Sequence, residues 1–291
     1  MLGKLIKHEW KSTYKICGAL LLFMVATTVL AGLSFHTPMW RVIFEEKYQT
    51  GFVPTPLDFA GLMSLMFYIL SMVGVVWGII IYLGVHFYKS MYSEEGYLTH
   101  TLPVTSHQLL AGKLLIAGIW YLLVLLVMIL SILSLVFALF GVAFNAQTQG
   151  MSLWRFLSEN MGQIMSELHR IFDFNVTGQI IMYIAMLVFG SFTSIMSLYG
   201  AVTLGQLFAK HRVMMSIVSY FAISMVTQIV TSIVTMPVTI ASTRRMIEHP
   251  GTVTTMPTVP TSLISLAVSI GLAVVLYFVS NYIITRKLNL E

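Results

Sequence analysis

Residues 114–143 read LLIAGIWYLLVLLVMILSILSLVFALFGVA and contain no Asp, Glu, Lys or Arg. A helix needs about 20 consecutive apolar residues to cross the hydrocarbon core of a bilayer, so this stretch predicts a membrane-spanning helix. Five other uncharged stretches reach or exceed the length of about 20 residues that a spanning helix needs. Together the six predicted spans cover residues 16–35, 61–88, 114–143, 179–208, 214–240 and 262–285. We therefore predict an all-α, polytopic membrane protein with six transmembrane helices.

The composition favours the same fold class. Of 291 residues, 57% are apolar and 9% are charged, whereas a soluble domain carries about 25% charged residues. These proportions exclude a disordered chain and leave too few charges to cover the surface of a soluble globular protein. The single cysteine, Cys17, lies inside the first predicted span and cannot form an internal disulfide. We interpret it as a small apolar packing residue.

The distribution of basic residues predicts the orientation in the membrane. An even number of spans places both termini on one side, and that side carries four segments of the chain. These four segments hold ten Lys and Arg residues, against six in the three segments on the other side. The four segments are residues 1–15, 89–113, 209–213 and 286–291, and the three are residues 36–60, 144–178 and 241–261. The positive-inside rule predicts cytoplasmic termini, and the basic balance reflects membrane topology without a nucleic-acid partner.

The chain divides into a short N-terminal element, residues 1–15, and a six-span transmembrane domain, residues 16–291. On a helical wheel the lysines of the first element occupy one side and its large apolar residues the other. The lysines are Lys4, Lys7, Lys11 and Lys15, and the apolar residues are Leu2, Leu5, Ile6, Trp10 and Tyr14. This pattern predicts an amphipathic helix in the cytoplasmic interface of the bilayer. Glu9 interrupts the apolar side, and it either faces a protein partner or is simply tolerated there.

Polar residues form stripes along two of the predicted spans. In the second span the stripe contains Ser64, Tyr68 and Ser71, and a Gly74-x-x-x-Gly78 pair that lets another helix approach closely. In the fifth span it contains Tyr220, Ser224, Thr227, Gln228, Thr231 and Thr235. Hydroxyl and amide groups in a bilayer need hydrogen-bond partners. The stripes either bind helices to one another or line a polar route through the membrane, and we name their polar residues as candidate pathway-lining residues.

Two of the predicted external segments differ in pattern. In residues 144–178, Ser152 is suited to cap a helix whose apolar residues follow at spacings of three and four. That spacing predicts an amphipathic helix that lies on the outer surface or caps the bundle. Residues 241–261 contain three prolines among many threonines, and this composition predicts an irregular segment.

The predicted cytoplasmic coupling loop, residues 89–113, reads KSMYSEEGYLTHTLPVTSHQLLAGK and joins the second and third spans. Ser93 is suited to cap a short helix, and the two glutamates that follow suit its first turn. Leu98 and Leu102 are four residues apart and share a face, and Pro103 ends the helix. The pattern predicts a short, partly apolar helix close to the membrane that a docked partner can push. An ordinary amphipathic linker is the alternative.

This loop resembles one region of the permease subunits of type 2 ABC exporters. The resemblance is most specific over residues 94–115, with an acidic pair, a short helix, Leu-Pro-Val-Thr and a leucine-rich run that ends in Gly-Lys-Leu-Leu. It extends to the layout of an interfacial helix, six spans and this loop after the second span. The resemblance implies a coupling helix that docks in a groove of the ATP-binding subunit, and a substrate path lined by the second and fifth spans. The docking residues that it implies are Glu94, Glu95, Tyr97, Leu98, His100, Thr101 and Leu102.

The sequence contains no motif for nucleotide binding or catalysis. Gly112-Lys113 fails as a P-loop, because His107 stands at the first glycine position and Leu114 replaces the Ser or Thr. ATP and Mg are therefore expected in a partner ATPase, with no cofactor in this chain. No HExxH or GxSxG motif is present, and the scattered histidines predict neither a metal site nor a catalytic residue. Uncharged spans also argue against an ion-coupled secondary transporter, which keeps a charged group at mid-membrane.

The resemblance thus implies a permease subunit that exports its substrate by alternating access across a bacterial plasma membrane. Its expected partners are two ABC ATPase subunits and a second copy or a related permease. Twenty methionines and the absence of charge from the spans suit an amphipathic or hydrophobic substrate, such as a peptide, a drug or a lipid. A non-transporting immunity or sensing subunit attached to an ABC ATPase is the first alternative, and an intramembrane enzyme is the second.

Overall fold

The computed structural model describes eight ranges of the chain, and they contain seven α-helices. The ranges are residues 2–37, 39–40, 55–93, 105–147, 153–171, 176–208, 211–248 and 258–286. The helices are α1 (Leu2–Ser34), α2 (Pro56–Tyr92), α3 (Ser106–Gln147), α4 (Leu153–Ile171), α5 (Val176–Gly205), α6 (Arg212–Glu248) and α7 (Thr258–Arg286). No strand occurs in these ranges. The predicted all-α fold class is confirmed.

All of these helices except α4 are long and apolar enough to cross a membrane. The candidate spans are Gly3–Ser34, Pro56–Tyr92, Ser106–Phe144, Gly178–Gly205, Arg212–Ala241 and Thr261–Thr285. Large apolar side chains such as Leu22, Leu70 and Phe278 are exposed on them, as expected for helices that face lipid or other chains. The prediction of a polytopic protein with six transmembrane helices is confirmed.

The N-terminal residues do not form a separate interfacial helix. The lysines predicted to lie on one side are exposed, but α1 continues without interruption from Leu2 to Ser34. The first proline of the chain is Pro38, so nothing before it removes a backbone donor and breaks the helix. Once a helix is nucleated, each added residue gains a hydrogen bond. The amphipathic segment 1–15 is therefore the first part of α1, and its predicted interfacial position is not confirmed.

The segments predicted to lie outside the membrane contain more helix than expected. A helix, α4, occupies Leu153–Ile171, where the spacing of apolar residues predicts one. The prediction of an irregular segment at 241–261 is wrong for its described first part, because α6 continues to Glu248. Pro260 lies in the first turn of α7, where a missing backbone donor costs no hydrogen bond.

The chain forms two compact units, which we call unit 1 and unit 2. Unit 1 consists of Met1–Ser12, Ile80–Leu122 and His169–Glu291, and unit 2 of Thr13–Ile79 and Leu123–Leu168. In unit 1, α5, α6 and α7 pack against one another. Phe87 of α2 stacks on Tyr199 of α5 with ring centroids 3.8 Å apart. These contacts join the end of α2 to the helices that follow it in the chain.

Hydroxyl groups join three helices in unit 2. Ser131 Oγ of α3 shares hydrogen bonds of 2.7 Å with Thr28 Oγ1 of α1 and with Tyr68 OH of α2. Ser71 Oγ of α2 donates to Thr27 Oγ1 of α1 at 2.9 Å. No water is available inside a bilayer to bond these groups, so each hydroxyl needs a partner within the protein. The resulting network holds α1, α2 and α3 in one register within unit 2.

A buried carboxylate fixes the start of α2. Thr55 donates to Asp58 Oδ2 twice, from its backbone N at 2.9 Å and from its Oγ1 at 2.6 Å. The backbone N of Met39 donates to Asp58 Oδ1 at 3.0 Å. Asp58 thus satisfies donors at the N-terminus of α2, where a negative charge is favoured by the helix dipole. The same side chain ties the residues after α1 to the start of α2.

Replacing Ser131 with Ala removes two hydrogen bonds between helices. Such bonds in membrane proteins average about 0.6 kcal/mol each. We therefore expect the free energy of unfolding to fall by about 1 kcal/mol. The matched control is Ser134→Ala, because Ser134 Oγ donates to the carbonyl oxygen of Ser131 in its own helix at 2.8 Å. Reversible unfolding in mixed micelles measures both variants. An equal loss of stability in the two variants would contradict this assignment.

Candidate functional site

A buried ion-pair cluster connects three helix ends in unit 1. Lys113 Nζ of α3 donates to Glu9 Oε1 of α1 and to Ser90 Oγ of α2. His86 Nε2, one turn before Ser90 on α2, lies 3.1 Å from Glu9 Oε2. We call Glu9, His86, Ser90 and Lys113 the Glu9 cluster. Both oxygens of the carboxylate are engaged, each by a residue from a different helix.

The charged members of the cluster are removed from solvent. Lys113 is 3% exposed and Glu9 is 7% exposed. Lysine and glutamate are almost never buried to this extent unless they are paired, because each charge loses its hydration. The pair recovers part of that loss through charge-assisted hydrogen bonds, which are about twice as strong as bonds between neutral groups. The Glu9–Lys113 pair is tolerated because both charges are present, and removal of either charge destabilises the folded protein.

Local helix periodicity brings these side chains together. Glu9 shares one buried face of α1 with Thr13 and Cys17, which follow at intervals of four residues. His86 and Ser90 are also four residues apart, so they share a face of α2. Lys113 is the eighth residue of α3 and lies close to the start of that helix. Each helix thus presents its polar residue on the side that packs against the others.

Small and aromatic residues allow the helices to meet around the cluster. Trp10 of α1 stacks on Trp120 of α3 with ring centroids 4.6 Å apart and an interplanar angle of 22°. A Cβ atom on Gly112 would lie 3.1 Å from Leu5 Cδ2, so the glycine admits α1 close to α3 beside the lysine. These contacts exclude solvent from the ion pair and strengthen it, because the local dielectric constant is low.

The two alternatives predicted for Glu9 were contact with a partner protein and simple tolerance, and the structure supports neither. Its partners belong to the same chain but lie far away in sequence: His86 is 77 residues distant and Lys113 is 104 residues distant. A wheel of one helix cannot identify such partners. The available signal was a carboxylate on an apolar face of one helix and a lysine next to a glycine at the start of another.

The predicted docking residues lie outside the described residues. They are Glu94, Glu95, Tyr97, Leu98, His100, Thr101 and Leu102. The described flanks of this segment are the end of α2 at Tyr92 and the start of α3 at Ser106. The Glu9 cluster contains a residue from each flank, Ser90 before the segment and Lys113 after it. The cluster therefore anchors the helices on both sides of the predicted docking segment.

The candidate pathway residues of the second span have packing roles in unit 2. Tyr68 and Ser71 are buried, and their hydroxyls take part in the network with α1 and α3 described above. Ser64 is half-buried and donates to the carbonyl oxygen of Gly61 in its own helix at 2.7 Å. These contacts support helix packing, one of the two alternatives that the sequence left open. A role in lining a pathway stays a prediction for all three residues.

The glycine pair of the second span makes no close helix contact among the described residues. A Cβ atom on Gly78 would lie 3.9 Å from Leu20 Cδ2, which is an ordinary van der Waals distance. A Cβ atom on Gly74 would have no neighbour within 4 Å in the described part of the chain. No helix therefore approaches closely at Gly74 or Gly78 within unit 2 as described, and the helix-packing role of this pair stays a prediction.

The candidate pathway residues of the fifth span lie along one side of α6. Gln228 is exposed and the others are half-buried, namely Tyr220, Ser224, Thr227, Thr231 and Thr235. Ser224, Thr227 and Thr235 each donate at 2.8 Å to a carbonyl oxygen four residues earlier in α6. Hydroxyls bonded in this way need no partner on another helix. The stripe forms a mildly polar surface on which the hydroxyls of Ser224, Thr227 and Thr235 are bonded within α6.

Replacing Lys113 with Met leaves the Glu9 carboxylate buried without its cation, and we expect a loss of about 3–5 kcal/mol in the free energy of unfolding. The double variant Glu9→Gln with Lys113→Met buries no unpaired charge, so its loss should be clearly smaller. Lys89→Met is the matched control, because Lys89 is exposed on α2. Unfolding in mixed micelles measures all three, and equal losses in the single and double variants would contradict a buried ion pair.

The hydrogen bonds of the cluster connect α1, α2 and α3 to one another. Its carboxylate and ammonium groups are engaged with each other, and among the described residues no three His, Cys, Asp or Glu side chains lie together as metal ligands would.

No family model, no curated protein and no solved structure matches this chain. A proposal for its function therefore depends on the residue pattern and on this geometry.

Proposed function

We propose that this chain is the permease subunit of an ATP-driven ABC exporter of type 2. The observation that carries the proposal is the pattern of residues 94–115, which resembles the coupling segment of such permeases and connects two long apolar helices. The permease would lie in a bacterial plasma membrane with both termini in the cytoplasm. It would move an amphipathic or hydrophobic peptide, drug or lipid outward.

The position of the charges supports an external energy source. Glu9 and Lys113 are each the eighth residue of their helix, and Asp58 is the third residue of α2. The central parts of the six long helices contain no Asp, Glu, Lys or Arg. An ion-coupled transporter needs an ionisable group near the middle of the membrane to carry the coupling charge. A permease driven by a docked ATPase needs none.

The proposed mechanism is alternating access in a pair of permeases. The pair consists of two copies of this chain, or of one copy and a related permease, with two ATPase subunits bound on the cytoplasmic side. ATP closes the ATPase dimer, and the docking segments move with it. That movement reopens the paired spans toward the outside. The chain itself contributes no catalytic residue and no cofactor, and ATP and Mg belong to the ATPase subunits.

The surface of α6 supports a pathway for amphipathic substrates. Its stripe of hydroxyl and amide groups offers weak polarity without a fixed charge, and exposed apolar residues such as Met225 and Ile229 occupy the same helix. A charged solute would lose its hydration there without compensation. A substrate with both apolar and polar groups would not. Flexible methionines adapt to ligands of different shape.

The docking assignment is tested by replacing Leu98 and Leu102 together with Asp. We expect the ATPase to dissociate from the permease while membrane insertion is unaffected, because two carboxylates cannot enter an apolar groove without losing hydration. Leu98→Met with Leu102→Met is the matched control and should retain the ATPase. Co-purification from membranes measures the result. A complex that survives the aspartates with full activity would disprove the docking assignment.

The pathway assignment is tested by placing Trp at Ser224 or at Thr231. We expect either residue to block substrate flux into inverted vesicles while the ATPase stays bound, because a bulky ring narrows the path. Ile233→Trp is the matched control and should leave flux unchanged, since Ile233 is 65% exposed and lies two and a half turns after Ser224, on the opposite face of α6. Unchanged flux in the Ser224 and Thr231 variants would remove α6 from the pathway.

A further inference from the structure

We propose that the Glu9 cluster is a positioning lock for the segment between α2 and α3. In this role Glu9 and Lys113 hold the two flanks of residues 94–104 in a fixed arrangement against the N-terminal part of α1. A push on the segment then moves three helix ends of unit 1 together. The lock itself follows from the geometry, and only the nature of the pushing partner, an ABC ATPase, rests on the proposed function.

The bonds of Lys113 link the two flanks directly. Its ammonium group donates to Ser90 on the last turns of α2 and to Glu9 on α1. Because Lys113 belongs to α3, one side chain connects the helix before the segment, the helix after it and the N-terminal helix. His86 adds a second contact from α2 to the same carboxylate at 3.1 Å. The spacing of the two flanks therefore depends on the ion pair of Glu9 and Lys113.

A second set of contacts keeps the end of α2 from moving alone. Tyr92, the last residue of α2, donates from its OH to Thr203 Oγ1 of α5 at 3.0 Å. Phe87 stacks on Tyr199 of α5, and Tyr199 is fully buried. The helix that enters the segment is thus held by the Glu9 cluster on one side and by α5 on the other. Force on the segment is transmitted into unit 1 without unwinding α2.

A buried ion pair fixes the relative position of helices better than apolar contacts do. Apolar side chains pack without strong direction, and helices held by them alone can slide by small steps. A hydrogen-bonded ion pair has a defined geometry, and buried polar groups are best known for setting one register between helices. Salt does not screen a buried pair as it screens a surface pair. The cluster therefore defines one arrangement of the three helix ends and keeps it under load.

The lock is tested by measuring the distance between its two flanks. In a background with Cys17→Ala, cysteines replace Ser93 and Thr105, the described residues on either side of the segment, and carry spin labels. We expect a narrow distance distribution in the parent protein in liposomes. Glu9→Gln should broaden it, and the double variant Glu9→Gln with Lys113→Met should broaden it as well while keeping the fold. Glu159→Gln is the matched control, because Glu159 pairs with Arg155 at 3.0 Å on the exposed surface of α4.

The outcomes separate the lock from the proposed function. Broadening in both cluster variants but not in Glu159→Gln supports the lock, whether or not an ATPase binds the parent protein. Distributions that stay narrow in both cluster variants overturn it, even if the parent protein binds an ATPase and transports substrate. In the purified complex, the double variant should hydrolyse ATP with reduced substrate flux per ATP. Full flux per ATP would overturn the coupling role.

Discussion

A polar group inside a bilayer must find its hydrogen-bond partner within the protein, and this constraint governs each level of the structure. Backbone groups meet it by forming long helices. Hydroxyls meet it either within their own helix, as Ser224 does, or across helices, as Ser131 does. Buried charged groups meet it through neutral donors, as Asp58 does in unit 2, or in an ion pair, as Glu9 and Lys113 do in unit 1. Removal of one partner from the Glu9 cluster therefore leaves a buried charge unpaired.

The Glu9 cluster bears on the proposed function because its residues lie on both flanks of the predicted docking segment. A permease without its own ATPase needs rigid connections at the place where force enters. Glu9, Ser90 and Lys113 supply such connections on both flanks of the predicted docking segment. Under the proposed function, the N-terminal part of α1 would also receive force from the docked ATPase, in addition to its predicted contact with lipid headgroups. In this view the lysines exposed on α1 and the buried carboxylate serve different purposes on opposite faces of one helix.

Two polar stripes that look alike in sequence have different surroundings in the structure. In α2, Tyr68 and Ser71 are buried and bond to other helices of unit 2. In α6, Thr227 and Thr235 bond to carbonyl oxygens of their own helix and stay half-buried. Both arrangements satisfy the hydroxyls, so composition and spacing do not distinguish them. The difference arises because Tyr68 and Ser71 of α2 lie beside Ser131 and Thr27, whereas Thr227 and Thr235 bond within α6.

The sequence by itself determined the all-α class, the six spans and the approximate position of each, because the length of an apolar helix is a local property. It misjudged where helices continue, at residues 1–15 and at 241–248, because helix propagation through polar residues depends on what lies beside them. The spacing of apolar residues correctly predicts the helix at Leu153–Ile171. The tertiary structure alone decided the partner of Glu9. That partner is 104 residues away, and two charges become neighbours only when the faces of two helices meet.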